Sequence, residues 1–178
     1  MFGQTHILTY NLLFAVTAYL LLMFSLLPQE SSSLAPLPWP DLLFCFIAAW
    51  RLRRPELVSP AVIVVAVLVA ELLFLQPLGL WAALVLLAAE FFRSIVDRIK
   101  FLPFTYEWVV MASAYSAMIL IYQLILAMSL VPVPDMRTVL LNLLATVLAY
   151  PLIVATTNLV FRIRKSSSIK TGLMEGSR

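Results

Sequence analysis

Two acidic residues fall inside long apolar stretches of the chain, where an unpaired charge is costly. Glu71 lies within the apolar run 58–75, and Glu90 lies near the end of the run 78–92. A charged side chain at the middle of a membrane-spanning helix costs about 2.5–3.5 kcal/mol on insertion scales. We therefore predict that Glu71 faces other helices, where its carboxylate can fix helix packing, dock a partner or contribute to a ligand site.

The surroundings of Glu71 suggest which groups it contacts. No Lys or Arg lies within four residues of it, and at 1.5 Å per residue it is about 20 Å from the basic end of its span. Several hydroxyl and amide side chains of other spans lie at a similar depth, and each can hydrogen-bond a carboxyl group. We predict a buried polar cluster in which Glu71 is joined by some of Tyr19, Tyr122, Gln123, Thr146 and Tyr150.

Glu90 is followed three residues later by Arg93. Side chains at this spacing lie next to each other on a helix surface, so the two can form an ion pair. Both are close enough to the end of their span to reach the headgroup region. We therefore expect an interfacial pair and assign it no chemistry.

A short charged segment separates two apolar runs and has the composition of a cytoplasmic cap. It contains Arg51, Arg53, Arg54 and Glu56. One interpretation is a topology signal that also touches anionic lipid, which contributes about 1 kcal/mol per cation near the surface. The other is a contact with a protein on the cytoplasmic side.

The residue counts argue against several kinds of active site. The chain has one cysteine, Cys45, and one histidine, His6, whereas a zinc site needs three or four ligands. Its glycines lack P-loop spacing, and neither G-x-S-x-G nor H-E-x-x-H occurs. The basic C-terminus has too few aromatic residues for a nucleic-acid site. We predict no enzyme activity, no catalytic or metal site, no cofactor and no nucleic-acid partner.

The composition indicates an all-α integral membrane protein. Of the 178 residues, 63% are hydrophobic and 12% are charged, against roughly 25% charged residues in soluble domains. A membrane-spanning helix needs about 20 apolar residues. We predict one domain, residues 1–161, followed by a basic tail, 162–178, that we expect to be disordered. The predicted spans are approximately 7–27, 39–54, 58–75, 78–92, 108–131 and 139–161.

The basic residues predict the orientation of these spans. With six spans and a cytoplasmic N-terminus, all 12 Lys and Arg residues except Arg137 fall on the cytoplasmic side, as the positive-inside rule requires. Five spans remain an alternative, because the apolar piece 41–50 rises only about 15 Å as a helix and can be re-entrant. The N-terminus would then lie outside. We favour six spans, with both termini cytoplasmic.

The order of pieces between residues 39 and 79 is characteristic. It runs Trp39-Pro40-Asp41, an apolar piece ending at Trp50, Arg53-Arg54-Pro55-Glu56, an apolar helix with Glu71, and Gln76-Pro77-Leu78-Gly79. This order and spacing resembles the rod-shape-determining MreD family of bacteria. The likeness continues more weakly through Tyr122-Gln123 and Pro151.

The resemblance implies a non-enzymatic protein of the bacterial inner membrane. Members are similar in fold to the six-helix substrate-binding subunits of energy-coupling-factor vitamin transporters. They bind MreC and, through it, associate with MreB, RodA and the elongation-specific class B penicillin-binding protein, and they support rod shape and sidewall peptidoglycan synthesis. The alternative function is that of a small-molecule-binding subunit in a vitamin-type transporter.

Overall fold

The chain folds into α-helices in the order in which the apolar runs occur. The computed structural model describes residues 4–26, 39–99, 102–129 and 135–161. Within these residues there are six α-helices and no strand, which confirms the all-helical class. The tail 162–178 and the segment 28–38 between the first two predicted spans lie outside the described residues. The helices are α1 (Gln4–Ser25), α2 (Leu42–Arg53), α3 (Pro60–Leu73), α4 (Leu80–Ile99), α5 (Phe104–Met128) and α6 (Met136–Phe161).

Three of these helices are long and apolar enough to cross a membrane. The qualifying stretches are Leu8–Ser25 in α1, Phe104–Met128 in α5 and Met136–Leu159 in α6. The apolar helix α3 is shorter, with 14 residues, and α2 has 12. By length and composition the chain is therefore a membrane protein, whose shorter helices lie among longer ones.

Successive helices run in opposite directions. The Asn11 side chain, in the first half of α1, accepts the backbone N–H of Ser59 at the start of α3 at 2.9 Å. At the other end of α1, the ring of Phe24 packs on Trp39, which precedes α2, with centroids 5.6 Å apart. The bundle thus has two ends, which we name after the residues of α2 found there: the Asp41 end, where α2 begins, and the Arg53 end, where it finishes.

The short helix α2 is enclosed by the others. It packs against α1, α4 and α6, and every residue from Leu43 to Leu52 is buried. Its 12 residues rise about 18 Å, so it is shorter than the predicted span 39–54. Asp41 caps its first turn by accepting the N–H of Phe44 at 2.8 Å. Because no side faces water, the helix has no polar stripe.

The region between the fourth and fifth spans differs from the sequence prediction. The predicted spans 78–92 and 108–131 leave residues 93–107 between them, but α4 continues to Ile99 and α5 begins at Phe104. In the last turns of α4, Phe92 and Ile99 are buried while Arg93 is exposed. This amphipathic pattern explains why the charged residues continue the helix instead of ending it.

Pro151 lies inside α6 and changes its hydrogen bonding. Proline has no backbone N–H, so the carbonyl of Val147, four residues earlier, loses its usual helical donor. The indole Nε1 of Trp108, on α5, donates to this oxygen at 2.8 Å. The interruption in α6 therefore creates an attachment point between α5 and α6.

The enclosed position of α2 predicts that it tolerates no increase in volume. Ala49 has 0% of its surface exposed, and extra methylenes in a well-packed core cost about 1–3 kcal/mol. We expect Ala49→Leu to lower the melting temperature of the detergent-solubilised protein, measured by loss of the folded peak in size-exclusion chromatography after heating. Ala117→Leu, at an exposed position of α5, should leave it unchanged. Equal melting temperatures would contradict the enclosure of α2.

Candidate functional site

The two arginines in the last turn of α2 are buried. The side chain of Arg51 is 1% exposed and that of Arg53 is 7% exposed. The prediction that these two residues belong to an exposed, lipid-touching cap is therefore wrong, because neighbouring helices cover them. Arg54 is only partly buried and Glu56 is exposed, so that part of the cap does lie at the surface.

Arg53 lies in a polar network that joins three helices. Its Nε atom is 2.9 Å from Oε1 of Glu107 on α5, whose side chain is fully buried. The hydroxyl of Tyr150, on α6, donates to the same oxygen at 2.9 Å. Arg53 also donates to Oδ1 of Asn158, further along α6. One guanidinium thus fixes the end of α2 against α5 and α6.

Arg51 makes the equivalent connection to α4. Its Nη2 atom is 2.7 Å from Oε1 of Glu90, and its Nη1 atom donates to the carbonyl of Pro55 at 3.1 Å. The predicted pair of Glu90 with Arg93 is also present, as a longer contact of 3.7 Å. Arg51, the closer partner of Glu90, lies on another helix. It therefore could not be identified from neighbouring positions in the sequence.

These contacts balance charge inside the bundle. Two guanidinium groups meet two carboxylates at 2.7 and 2.9 Å, and charge-assisted hydrogen bonds of this kind are about twice as strong as neutral ones. A buried charge that loses its partner is strongly destabilising. The arrangement therefore suits a fixed junction between α2, α4, α5 and α6. We call these residues the arginine junction: Arg51, Arg53, Glu90, Glu107, Tyr150 and Asn158.

Glu71 is fully buried, and its carboxylate binds the backbone of the turn between α3 and α4. Its Oε2 atom accepts the N–H of Gly79 at 2.7 Å, and Oε1 accepts the N–H of Ala82 at 2.9 Å. The first N–H groups of a helix lack partners within it, and a negative charge is favourable there. Glu71 therefore caps α4 from α3.

The turn that Glu71 holds contains two unusual backbone conformations. Gly79 has φ of +87° and Leu75 has φ of +53°. Glycine adopts the left-handed region readily, whereas other L-residues pay roughly 1–2 kcal/mol for it. Nothing lies within 4 Å of a Cβ added at Gly79, so the glycine is needed for its backbone conformation and not for space.

Glu71 is buried, as predicted, but its hydrogen bonds go to backbone N–H groups, and the side chains predicted around it occupy different places. Tyr19 points outward, with 56% of its surface exposed. Thr146 accepts the backbone N–H of Asp41 at 3.0 Å, and Tyr150 belongs to the arginine junction. Tyr122 and Gln123 line a cavity at the Asp41 end. Similar depth along the helix axes did not bring these side chains together, because each helix also has its own rotation.

Sequence reasoning missed Glu107 and gave no role to Asp41. Glu107 falls in the first turn of α5, after Pro103, which is a usual position for an acid at a helix start. Asp41 follows Pro40 and precedes an apolar run, which is the pattern of an N-cap. Both signals place the residues at helix ends, but neither signal reveals which distant side chain they meet.

Comparison of the chain with protein-family models, with curated proteins and with solved structures finds no match.

The arginine junction predicts unequal effects for two adjacent arginines. Arg53→Ala leaves the carboxylate of Glu107 buried without its guanidinium, which costs about 3–5 kcal/mol. Arg54→Ala, at a partly buried position, should change the free energy of unfolding by less than about 1 kcal/mol. Denaturant titration of the purified protein measures both. The double variant Arg53→Met with Glu107→Leu should recover much of the loss, and equal losses for Arg53→Ala and Arg54→Ala would contradict the assignment.

Proposed function

We propose that this chain is a non-enzymatic, multi-pass component of the bacterial cell-elongation complex in the inner membrane, where it binds MreC and supports rod shape and sidewall peptidoglycan synthesis. The proposal starts from the resemblance of residues 39–79 to the MreD family. The observation that carries it is what those residues do in the bundle: they hold α2, α3 and α4 in place.

Three residues of that segment make contacts that fix helix ends. Asp41 caps α2 and binds Thr146 of α6 through its backbone. Arg53 binds Glu107 of α5, and Glu71 fixes the turn at Gly79. Buried polar contacts hold the helices in fixed positions, so the outer surface of the bundle keeps one shape. Such a surface suits a subunit that binds partners in a larger assembly.

The alternating directions of the helices support six crossings. If α1, α5 and α6 span the bilayer, α2, α3 and α4 pass between the same two ends of the bundle. A short helix such as α2 is tolerated at membrane depth when protein surrounds it. The positive-inside rule then puts the Arg53 end and both termini in the cytoplasm.

The proposed partners follow from the resemblance to the MreD family. MreC is the direct partner, and MreB, RodA and the class B penicillin-binding protein associate through the complex. Because Arg51 and Arg53 are buried, contact with anionic lipid falls to the surface cations Arg54, Arg93 and Arg98. Each cation near a negatively charged surface contributes about 1 kcal/mol.

The second candidate function is a small-molecule-binding subunit of a vitamin-type transporter. The observation that favours it is the cavity at the Asp41 end, which has a volume of about 370 Å³. Ligand sites typically occupy about 300–1,000 Å³. The cavity is therefore large enough to hold a small ligand.

The proposed orientation predicts the accessibility of single cysteines. Glu56 and Gln76 are exposed and lie at opposite ends of α3. A membrane-impermeant maleimide applied to intact spheroplasts should label Gln76→Cys, and it should label Glu56→Cys only after the membrane is opened. The unaltered chain, whose single Cys45 is buried, measures the background. Labelling of Glu56→Cys from outside would overturn the orientation.

The proposed function predicts a shape defect without a nutritional one. Depletion of the protein should give rounded cells with intact vitamin uptake, and the tagged protein should co-purify MreC. Both oxygens of Glu71 accept backbone N–H groups, and the amide nitrogen of Gln cannot accept, so we expect Glu71→Gln to lose one of these bonds and to lower the melting temperature. Normal rods with a vitamin requirement would favour the transporter subunit. Absence of MreC from the purified wild type would remove the elongation proposal.

A further inference from the structure

The cavity at the Asp41 end lies where α2, α4 and α6 begin and where α1, α3 and α5 approach their last turns. Its volume of about 370 Å³ is lined by both apolar and polar residues. It is separate from the arginine junction, which lies at the other end of α2. The lining combines aromatic, amide and hydroxyl side chains with the carboxylate of Asp41, and their chemistry restricts what the cavity can hold.

Aromatic rings form a corner of this cavity. The ring of Trp81 meets Tyr122 at 82°, with centroids 5.4 Å apart, and meets Tyr115 at 84°, with centroids 6.2 Å apart. Trp39 contributes to the same lining. The faces of Trp and Tyr rings attract cations, and groups of such rings recognise ammonium ligands.

Two polar side chains of the lining, Tyr115 and Asn142, donate to groups within the protein. The hydroxyl of Tyr115 donates to Oδ1 of Asn142 at 2.8 Å, and Nδ2 of Asn142 donates to the carbonyl of Trp39 at 2.7 Å. Oε1 of Gln123, in contrast, is buried without a hydrogen-bond partner among the described residues. A buried acceptor without a donor is costly, so a ligand that donates a hydrogen bond would be stabilised here.

The charge of the lining is negative. Asp41 is an acidic lining residue, and the described lining includes no Lys, Arg or His. Arg137 precedes the lining residue Thr138, but its side chain is exposed. Glu71 adds a second carboxylate close to this end of the bundle. A ligand with a positive charge therefore meets attraction from Asp41, whereas an anion would meet repulsion.

We propose that this cavity binds an organic ammonium ion, an amine or quaternary ammonium group attached to an apolar or aromatic body. Asp41 supplies the opposite charge, the rings of Trp39, Trp81 and Tyr122 contact the cation and its apolar part, and Gln123 accepts a hydrogen bond where the ligand has a donor. The proposal rests on the cavity and is independent of the elongation role.

The test uses the full chain in lipid nanodiscs and benzylammonium as the probe, because its N–H groups can donate to Gln123, with binding measured by calorimetry. We expect saturable binding, and no binding of benzenesulfonate, an anion of similar size. Asp41→Asn keeps an oxygen for the cap at Phe44 but removes the charge, and it should weaken binding about tenfold or more. The matched control Asp97→Asn, on the exposed side of α4, should leave affinity unchanged.

A second variant keeps the test decisive if Asp41→Asn fails to fold. Tyr122→Leu removes one ring from the corner and should also weaken binding of the probe. Its melting temperature should match that of the control variant Asp97→Asn. The absence of saturable binding to the wild type would overturn the proposal. Equal affinity in the wild type, Asp41→Asn and Tyr122→Leu would also overturn it, since the probe would then be partitioning into lipid or binding elsewhere.

Discussion

The burial of two guanidinium groups at the end of α2 is the constraint on which the rest of the bundle depends. A cation enclosed by apolar helices must meet an anion, because the cost of an unpaired buried charge exceeds most packing gains. Arg51 and Arg53 therefore require Glu90 from α4 and Glu107 from α5 at contact distance. A helix turns by about 100° per residue, so a slip of one residue in either helix would point its carboxylate away.

The two ends of α2 are held by different means, and this leaves room at one of them. At the Arg53 end, ion pairs draw α4 and α5 onto α2, and hydrogen bonds to Asn158 and Tyr150 add α6. At the Asp41 end, the contacts are a helix cap and single hydrogen bonds to α6. None of these contacts is an ion pair, so they constrain the surrounding helices less tightly, and a cavity lies there.

Glu71 connects the turn between α3 and α4 to that cavity. By binding the N–H groups of Gly79 and Ala82, its carboxylate fixes the first turn of α4. Trp81 lies between these two residues and forms part of the aromatic corner. In the sequence, Glu71 is a candidate ligand group. In the structure, its carboxylate positions the wall of the cavity. Leu75, in the left-handed conformation, lies in the same short turn.

The sequence by itself determined that the chain is helical, that it belongs in a membrane and in which order its helices occur, because apolar run length and hydropathy are local properties. It also showed that Glu71 and Glu90 need partners. Only the tertiary structure decided which partners they have. Depth along an axis can be counted from residue numbers, but the rotation of each helix depends on packing against its neighbours. For this reason Tyr19 points outward, Glu107 meets Arg53 and Glu71 binds a backbone turn.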